Sequence, residues 1–258
     1  METLGERVKK IADQALDQAS MTGAANQTEY SCQCVRTGRW GDMLDTCHKK
    51  VPPLDLLSCP VFKRKWHQTL RARGVYERFQ DANFQDIHKR GVPGEIKKQY
   101  GRVVNYVQQL DQRLKAGDGL ILKGPVGTMK TTLAVAVLQE ALARGYTVRK
   151  ILMQSLLDDI FTLKAQGSRE WLQYEQDLRN VSLLVVDELG KHKSEGWVMN
   201  KFEAIVSERH ERRRSTIFVT NLTTDEIRGM YSEGVIDRFN HVSDVITFTG
   251  QSQRVKGD

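Results

Sequence analysis

Two absences frame this chain. No stretch of its 258 residues approaches the ~18 to 20 consecutive apolar residues that a membrane-spanning helix needs. The amino-terminal METLGERVKKIADQ is charged from Glu2 onward and lacks the apolar stretch of a secretory signal. Integral membrane and secreted classes are disfavoured, and a soluble, cytoplasmic protein with no membrane partner is expected. Internal repeats and low-complexity tracts are missing too. Cysteine is almost absent: 230 residues contain none, and Cys32, Cys34, Cys47 and Cys59 share one 28-residue window. In a cytosolic protein such clustering points to metal before disulfide. The spacing C-x-C-x12-C-x11-C is only a loose match to zinc, which favours a C-x2-C knuckle. His48 or His67 could supply a ligand. Structural zinc and plain reduced thiols in a small irregular module both remain open.

What is present is a globular composition, 40% hydrophobic and 28% charged. The net charge of +7 is unevenly spread. Residues 61–102 hold eleven basic side chains against four acidic ones, so this stretch matches the whole chain's excess and the remainder is neutral. A basic segment beside a neutral body suits a polyanion such as nucleic acid, or is simply a solvated lysine-rich surface.

Residues 4–20 carry Leu4, Val8, Ile11, Ala15 and Leu16 at helical spacing. Residues 21–60 are turn-rich and broken by Pro52, Pro53 and Pro60. A small N-terminal module (1–66) with a candidate zinc site is therefore expected ahead of a main domain (67–258). Residues 101–114 read as a helix. The pattern then alternates as in an α/β domain with a parallel sheet flanked by helices. Strands are expected at 119–124, 146–153, 181–186, 216–220 and 245–249, and helices at 130–144 and 199–213. Gly145 closes the first of these helices, and Ser155 is expected to cap another that runs through Phe161 and Leu163.

The chemistry concentrates in three places. Gly124-Pro125-Val126-Gly127-Thr128-Met129-Lys130-Thr131, followed by Thr132, lies between a strand and a helix. That is the setting of a phosphate-binding P-loop, G-x4-G-K-[ST]. Turn residues aim backbone N–H groups at phosphate, Lys130 reaches the β- and γ-phosphates, and the Thr131 hydroxyl binds Mg2+. Met129 replaces the glycine before the lysine. If that position needs positive φ, its side chain costs ~1–2 kcal/mol, or roughly ten- to thirtyfold in affinity. Second, Leu183-Leu-Val-Val-Asp187-Glu188 is an apolar strand ending in two acids. Asp187 suits Mg2+ held through water, and Glu188 suits deprotonation of an attacking water. Third, Thr216-Ile-Phe-Val-Thr-Asn221 ends a strand in an amide that could meet the γ-phosphate or simply open an Asx turn.

The order GPVGTMKTTLA, LLVVDELG, TIFVTNLTTDEI and IDRFNHVSDVITFTGQSQR resembles the DnaC/IstB-like AAA+ ATPases, the group of replicative helicase loaders and transposition helper ATPases. The likeness spans about residues 78–254. Tyr30-Ser-Cys-Gln-Cys34 with Thr37-Gly38 is more faintly similar to the cysteine-bearing module of some loaders. The resemblance implies an AAA+ P-loop NTPase fold using ATP and Mg2+. It makes Asn221 the first sensor, Arg238 an arginine finger acting on a neighbouring subunit's nucleotide, and Arg254 the second sensor. It further implies a replicative helicase and single-stranded DNA as partners, and assembly into a homo-oligomer on ATP or DNA. A transposition helper acting on duplex DNA, and a nucleotide-binding scaffold with little hydrolysis, are the alternatives.

Overall fold

The computed structural model describes residues 54, 57, 59–165, 169–190 and 196–252. The first helix, α1 (Pro60–Ala72), opens with proline at its first position, where the missing N–H is not needed. Its Phe62, Trp66 and Leu70 fall at i, i+4 spacing and are all buried. Short helices α2 (Glu77–Gln80) and α3 (Phe84–Arg90) follow, then α4 (Lys97–Gln108) and α5 (Leu110–Ala116). The single helix expected over 101–114 is therefore two helices. Gln109 leaves helical geometry between them, at φ −104° and ψ 16°. The boundary expected between residues 66 and 67 falls inside α1. The Trp66 indole N–H donates to Gln139 Oε1 at 2.9 Å, and Gln139 Nε2 donates to the Gln80 and Ala82 carbonyls.

The remaining elements alternate as β1 (Gly119–Lys123), α6 (Lys130–Ala143), β2 (Val148–Leu152), α7 (Met153–Ala165), α8 (Arg169–Asn180), β3 (Leu183–Leu189), α9 (Gly196–Glu211), β4 (Ser215–Thr220), α10 (Thr224–Met230), α11 (Glu233–Val242) and β5 (Ser243–Thr247). All five strands pair in parallel in the order β2-β3-β4-β1-β5. Each expected strand is present, with ends shifted by a few residues. Ser155 caps nothing: α7 begins at Met153 and takes Ser155 into its first turn. Gly145 does end α6, in left-handed geometry at φ 86°, with Tyr146 N–H bonded back to the Ala141 carbonyl. α10 starts at a capping box formed by Thr223 and Glu226.

Strand alternation sorts the core onto two sheet faces. Leu120, Leu122, Leu183, Val185, Ile217, Val219 and Ile246 pack under α1, α4, α5 and α6. Ile121, Ile151, Leu184, Val186 and Phe218 pack under α7, α8, α9 and α11. α6 is buried on nearly every side, which is why its sequence is apolar all round rather than striped. Cys59 is buried in the first of these clusters; Cys32, Cys34 and Cys47 lie outside the described residues. Among the described residues no group of His, Cys, Asp and Glu could hold a metal ion, and no helix is long and apolar enough to cross a membrane.

Candidate functional site

The strand order decides which chemistry meets. β1 and β3 both flank β4, so the loops leaving the carboxyl ends of these three strands lie side by side at one sheet edge. Open parallel sheets bind ligands at that edge. The three segments singled out in the sequence leave from there: the loop 124–129 from β1, Asp187 and Glu188 at the end of β3, and Asn221 just past β4.

The loop 124–129 turns back on itself to start α6. Gly127 has φ 83°, and a Cβ there would lie 2.0 Å from Ser252 Oγ, so no other residue fits without displacing Ser252. Met129, the N-cap of α6, has φ 63° and ψ 12°, the left-handed conformation that its position in the motif normally assigns to glycine. Its side chain packs half-buried against the apolar cluster. Lys130 is 5% exposed, and its ammonium donates to the Gly124 carbonyl at 2.7 Å and the Pro125 carbonyl at 2.5 Å. Thr128 Oγ1 also donates to the Pro125 carbonyl. An ammonium beside the loop, at the positive end of α6, is chemically suited to phosphate.

Thr131 and Asp187 meet across the sheet edge. The Thr131 hydroxyl donates to Asp187 Oδ1 at 3.1 Å, and the Glu188 N–H donates to the same oxygen at 3.0 Å. A hydroxyl and a carboxylate are the hard oxygen donors that Mg2+ takes, so these two residues fit the cation expected of them. Glu188 is exposed, with φ 60°. This strained backbone coincides with a register shift of the β3–β4 ladder between Val186 and Leu189. The shift turns the Glu188 side chain out of the packed strand while Asp187 stays buried.

The sequence reading did not find Lys150. It stands in β2, and its ammonium lies 3.1 Å from Asp187 Oδ2, both side chains almost fully buried. The signal was a lysine in an otherwise apolar alternation, on the same strand face as Val148.

Asn221 is exposed at the loop edge, while its neighbour Thr220 bonds the Leu189 carbonyl and ties β4 to the end of β3. Arg238 is elsewhere. It sits on α11 with its guanidinium donating to the Gly234 carbonyl at 2.8 Å. It lines a small cavity with Gly117, Thr216 and Ser243, at the amino ends of β1, β4 and β5. The structure thus keeps Arg238 away from its own chain's loop 124–129. Arg254 lies outside the described residues. Within the basic segment, Lys63 pairs with Asp81, Arg71 with Glu77 and Lys89 with Asp86. Arg64, Lys65, Lys97 and Lys98 are exposed.

Comparison with known proteins agrees with this geometry. The replicative helicase loader DnaC of Escherichia coli strain K12 is 28% identical over 175 residues, covering 67% of this chain and 69% of that protein. An ATP-binding protein in an insertion sequence of Mycobacterium tuberculosis is 25% identical over 146 residues, covering 55% of this chain and 57% of the relative. The crystal structure of the DnaC helicase loader superposes with a TM-score of 0.60 at 20% identity, covering 67% of this chain and all of that one, and so shows the shared AAA+ fold. The family model for IstB-like ATP binding protein matches residues 97–258. The chain therefore belongs to the IstB-like ATP-binding family.

Proposed function

We propose that this protein is an ATP-driven loader that places a replicative helicase on single-stranded DNA. The observation that carries the ATPase part is the contact of Thr131 and Glu188 with Asp187 at the carboxyl edge of the sheet, the edge that also bears Lys130 and Asn221. In this reading the loop 124–129 and Thr132 wrap the phosphates, and Lys130 leaves its loop carbonyls for the β- and γ-phosphate oxygens. Thr131 and Asp187 hold Mg2+, which when bound neutralises charge on the phosphates. Glu188, exposed and turned out of the strand, accepts the proton of the attacking water. Asn221 orients that water or the γ-phosphate. Arg238, remote from its own site, serves the nucleotide of a neighbouring copy in a homo-oligomer, and Arg254 completes the site as second sensor. The loader role rests on the likeness to DnaC over two thirds of both chains. The exposed Arg64, Lys65, Lys97 and Lys98 offer a surface to the DNA backbone, and the segment N-terminal to α1 grips the helicase.

The test is ATP hydrolysis with and without single-stranded DNA, beside Glu188→Gln. DNA-stimulated turnover that falls by ~10²-fold or more in Glu188→Gln, with nucleotide binding retained, is expected. Turnover insensitive to Glu188→Gln removes the assignment of the base. Tight binding without any turnover would make the protein a nucleotide-binding scaffold. The insertion-sequence relative favours a second reading, a transposition helper on duplex DNA. Co-purification with helicase supports the loader, and with transposase the helper.

A further inference from the structure

Lys150 occupies the sheet face that β-strand alternation gives to the apolar cluster under α6, the face of Val148 and Val185. Lysine is rarely buried there unless paired. Its side chain is 6% exposed and that of Asp187 is 4% exposed, with 3.1 Å between Nζ and Oδ2. A buried ion pair offsets its desolvation only when the geometry is good and the remaining hydrogen-bonding capacity is met. On the carboxylate side that capacity is met. The other Asp187 oxygen accepts from the Thr131 hydroxyl and the Glu188 N–H. The Phe79 ring lies 5.8 Å from the Lys150 ammonium, at cation–π distance.

The backbone of Lys150 is pinned from outside the sheet as well. β2 is an edge strand, and the Lys150 N–H donates to the Arg73 carbonyl at 2.7 Å. Gly74, at φ 82°, comes so close that a Cβ on it would lie 2.0 Å from the Lys150 carbonyl oxygen. The segment 73–79, which follows α1, thus fixes both the backbone and the ammonium of the residue that pairs with Asp187.

We propose that Lys150 is a positioning residue that sets the magnesium dependence of the nucleotide site. The inference rests on the nucleotide reading given above. Asp187 has one oxygen committed to the ammonium and the other to Thr131, so its charge is already compensated before a cation reaches it. The carboxylate is held in place for Mg2+ yet binds it more weakly than an unpaired aspartate would. Nucleotide binding by this chain consequently needs more Mg2+ than the same site without the Lys150 charge.

Lys150→Gln keeps an N–H donor for Asp187 and removes the charge, and Lys150→Met removes both while keeping the length. The full chain is titrated with MgCl2 at fixed fluorescent ATP analogue, and the Mg2+ concentration that half-maximally tightens binding is read. It is expected to fall by roughly tenfold or more in either variant, since a unit charge in contact with the carboxylate outweighs one decade of affinity. In the absence of nucleotide, MgCl2 alone is expected to raise the melting temperature of Lys150→Gln and to leave the wild type unchanged. Wild-type chain that binds the analogue with a Mg2+ dependence unaltered in both variants overturns the role of Lys150 alone. Wild-type chain that binds no analogue at any Mg2+ concentration overturns the nucleotide reading and this inference with it.

Discussion

Met129→Gly separates two places where the strain at loop 124–129 could act. Met129 stands at φ 63° and ψ 12°, and left-handed geometry costs a residue with a Cβ ~1–2 kcal/mol. Because this backbone belongs to the folded loop, the strain weighs on folding and not on nucleotide affinity. Glycine relieves it. Glycine also gives up the packing of a half-buried methionine, ~1 kcal/mol, and adds ~0.5–1 kcal/mol of chain entropy to the unfolded state. The net change for Met129→Gly is within about 1 kcal/mol of zero. Met129→Ala loses the packing and keeps the strain, so it is expected to be less stable than Met129→Gly by ~0.5–1 kcal/mol, against the usual helix-interior order. Urea unfolding followed by tryptophan fluorescence measures both. ATP-analogue affinity in Met129→Gly is expected to stay within about threefold of wild type, where strain relieved only on binding would raise it roughly ten- to thirtyfold. Alanine more stable than glycine, together with that larger gain in affinity, would refute the reasoning.

Two further expectations follow from buried contacts. Gln139 is fully buried and bonds Trp66, Gln80 and Ala82, so Gln139→Leu strands an indole N–H and two carbonyls. A loss of ~2–4 kcal/mol is expected in urea unfolding, and a loss below ~0.5 kcal/mol would mean that α1 does not dock through this bond. Burial raises the Glu175 pKa, but hydrogen bonds from Arg179 and Lys201 outweigh it and hold the carboxyl below its ordinary value. A carboxylate depressed in the folded state stabilises above its unfolded pKa, and that contribution is lost as pH falls through the folded value. The stability of Glu175→Gln, followed by thermal melts from pH 6 downward, should thus decline less steeply than wild type below pH ~4.5; parallel curves would remove the assignment.

Much of the site was legible because its parts are contiguous. Loop 124–131 and the run 183–188 each carry their meaning within eight residues, and strand–loop–helix alternation follows from periodicity that neighbouring residues set among themselves. The five strands, the C-cap at Gly145 and the acids at the end of β3 were readable on those terms. Ser155 misled because a serine can cap or ride inside a first turn, and only the docking of α7 decides where the helix begins. The split at Gln109 had no local breaker to announce it.

The chain by itself therefore determined the loop 124–131 between strand and helix, the acidic pair and the parallel α/β plan, since each rests on short-range backbone preference and side-chain spacing. The tertiary structure alone decided that β4 would lie between β1 and β3 and bring Thr131 to Asp187. It also placed Arg238 at the opposite end of the sheet and seated α1 on α6 through Trp66 and Gln139. Above all it paired Lys150 with Asp187 across adjacent strands. That contact depends on strand order and register, which are set by how the helices cover both faces, and no local pattern around residue 150 or 187 encodes it.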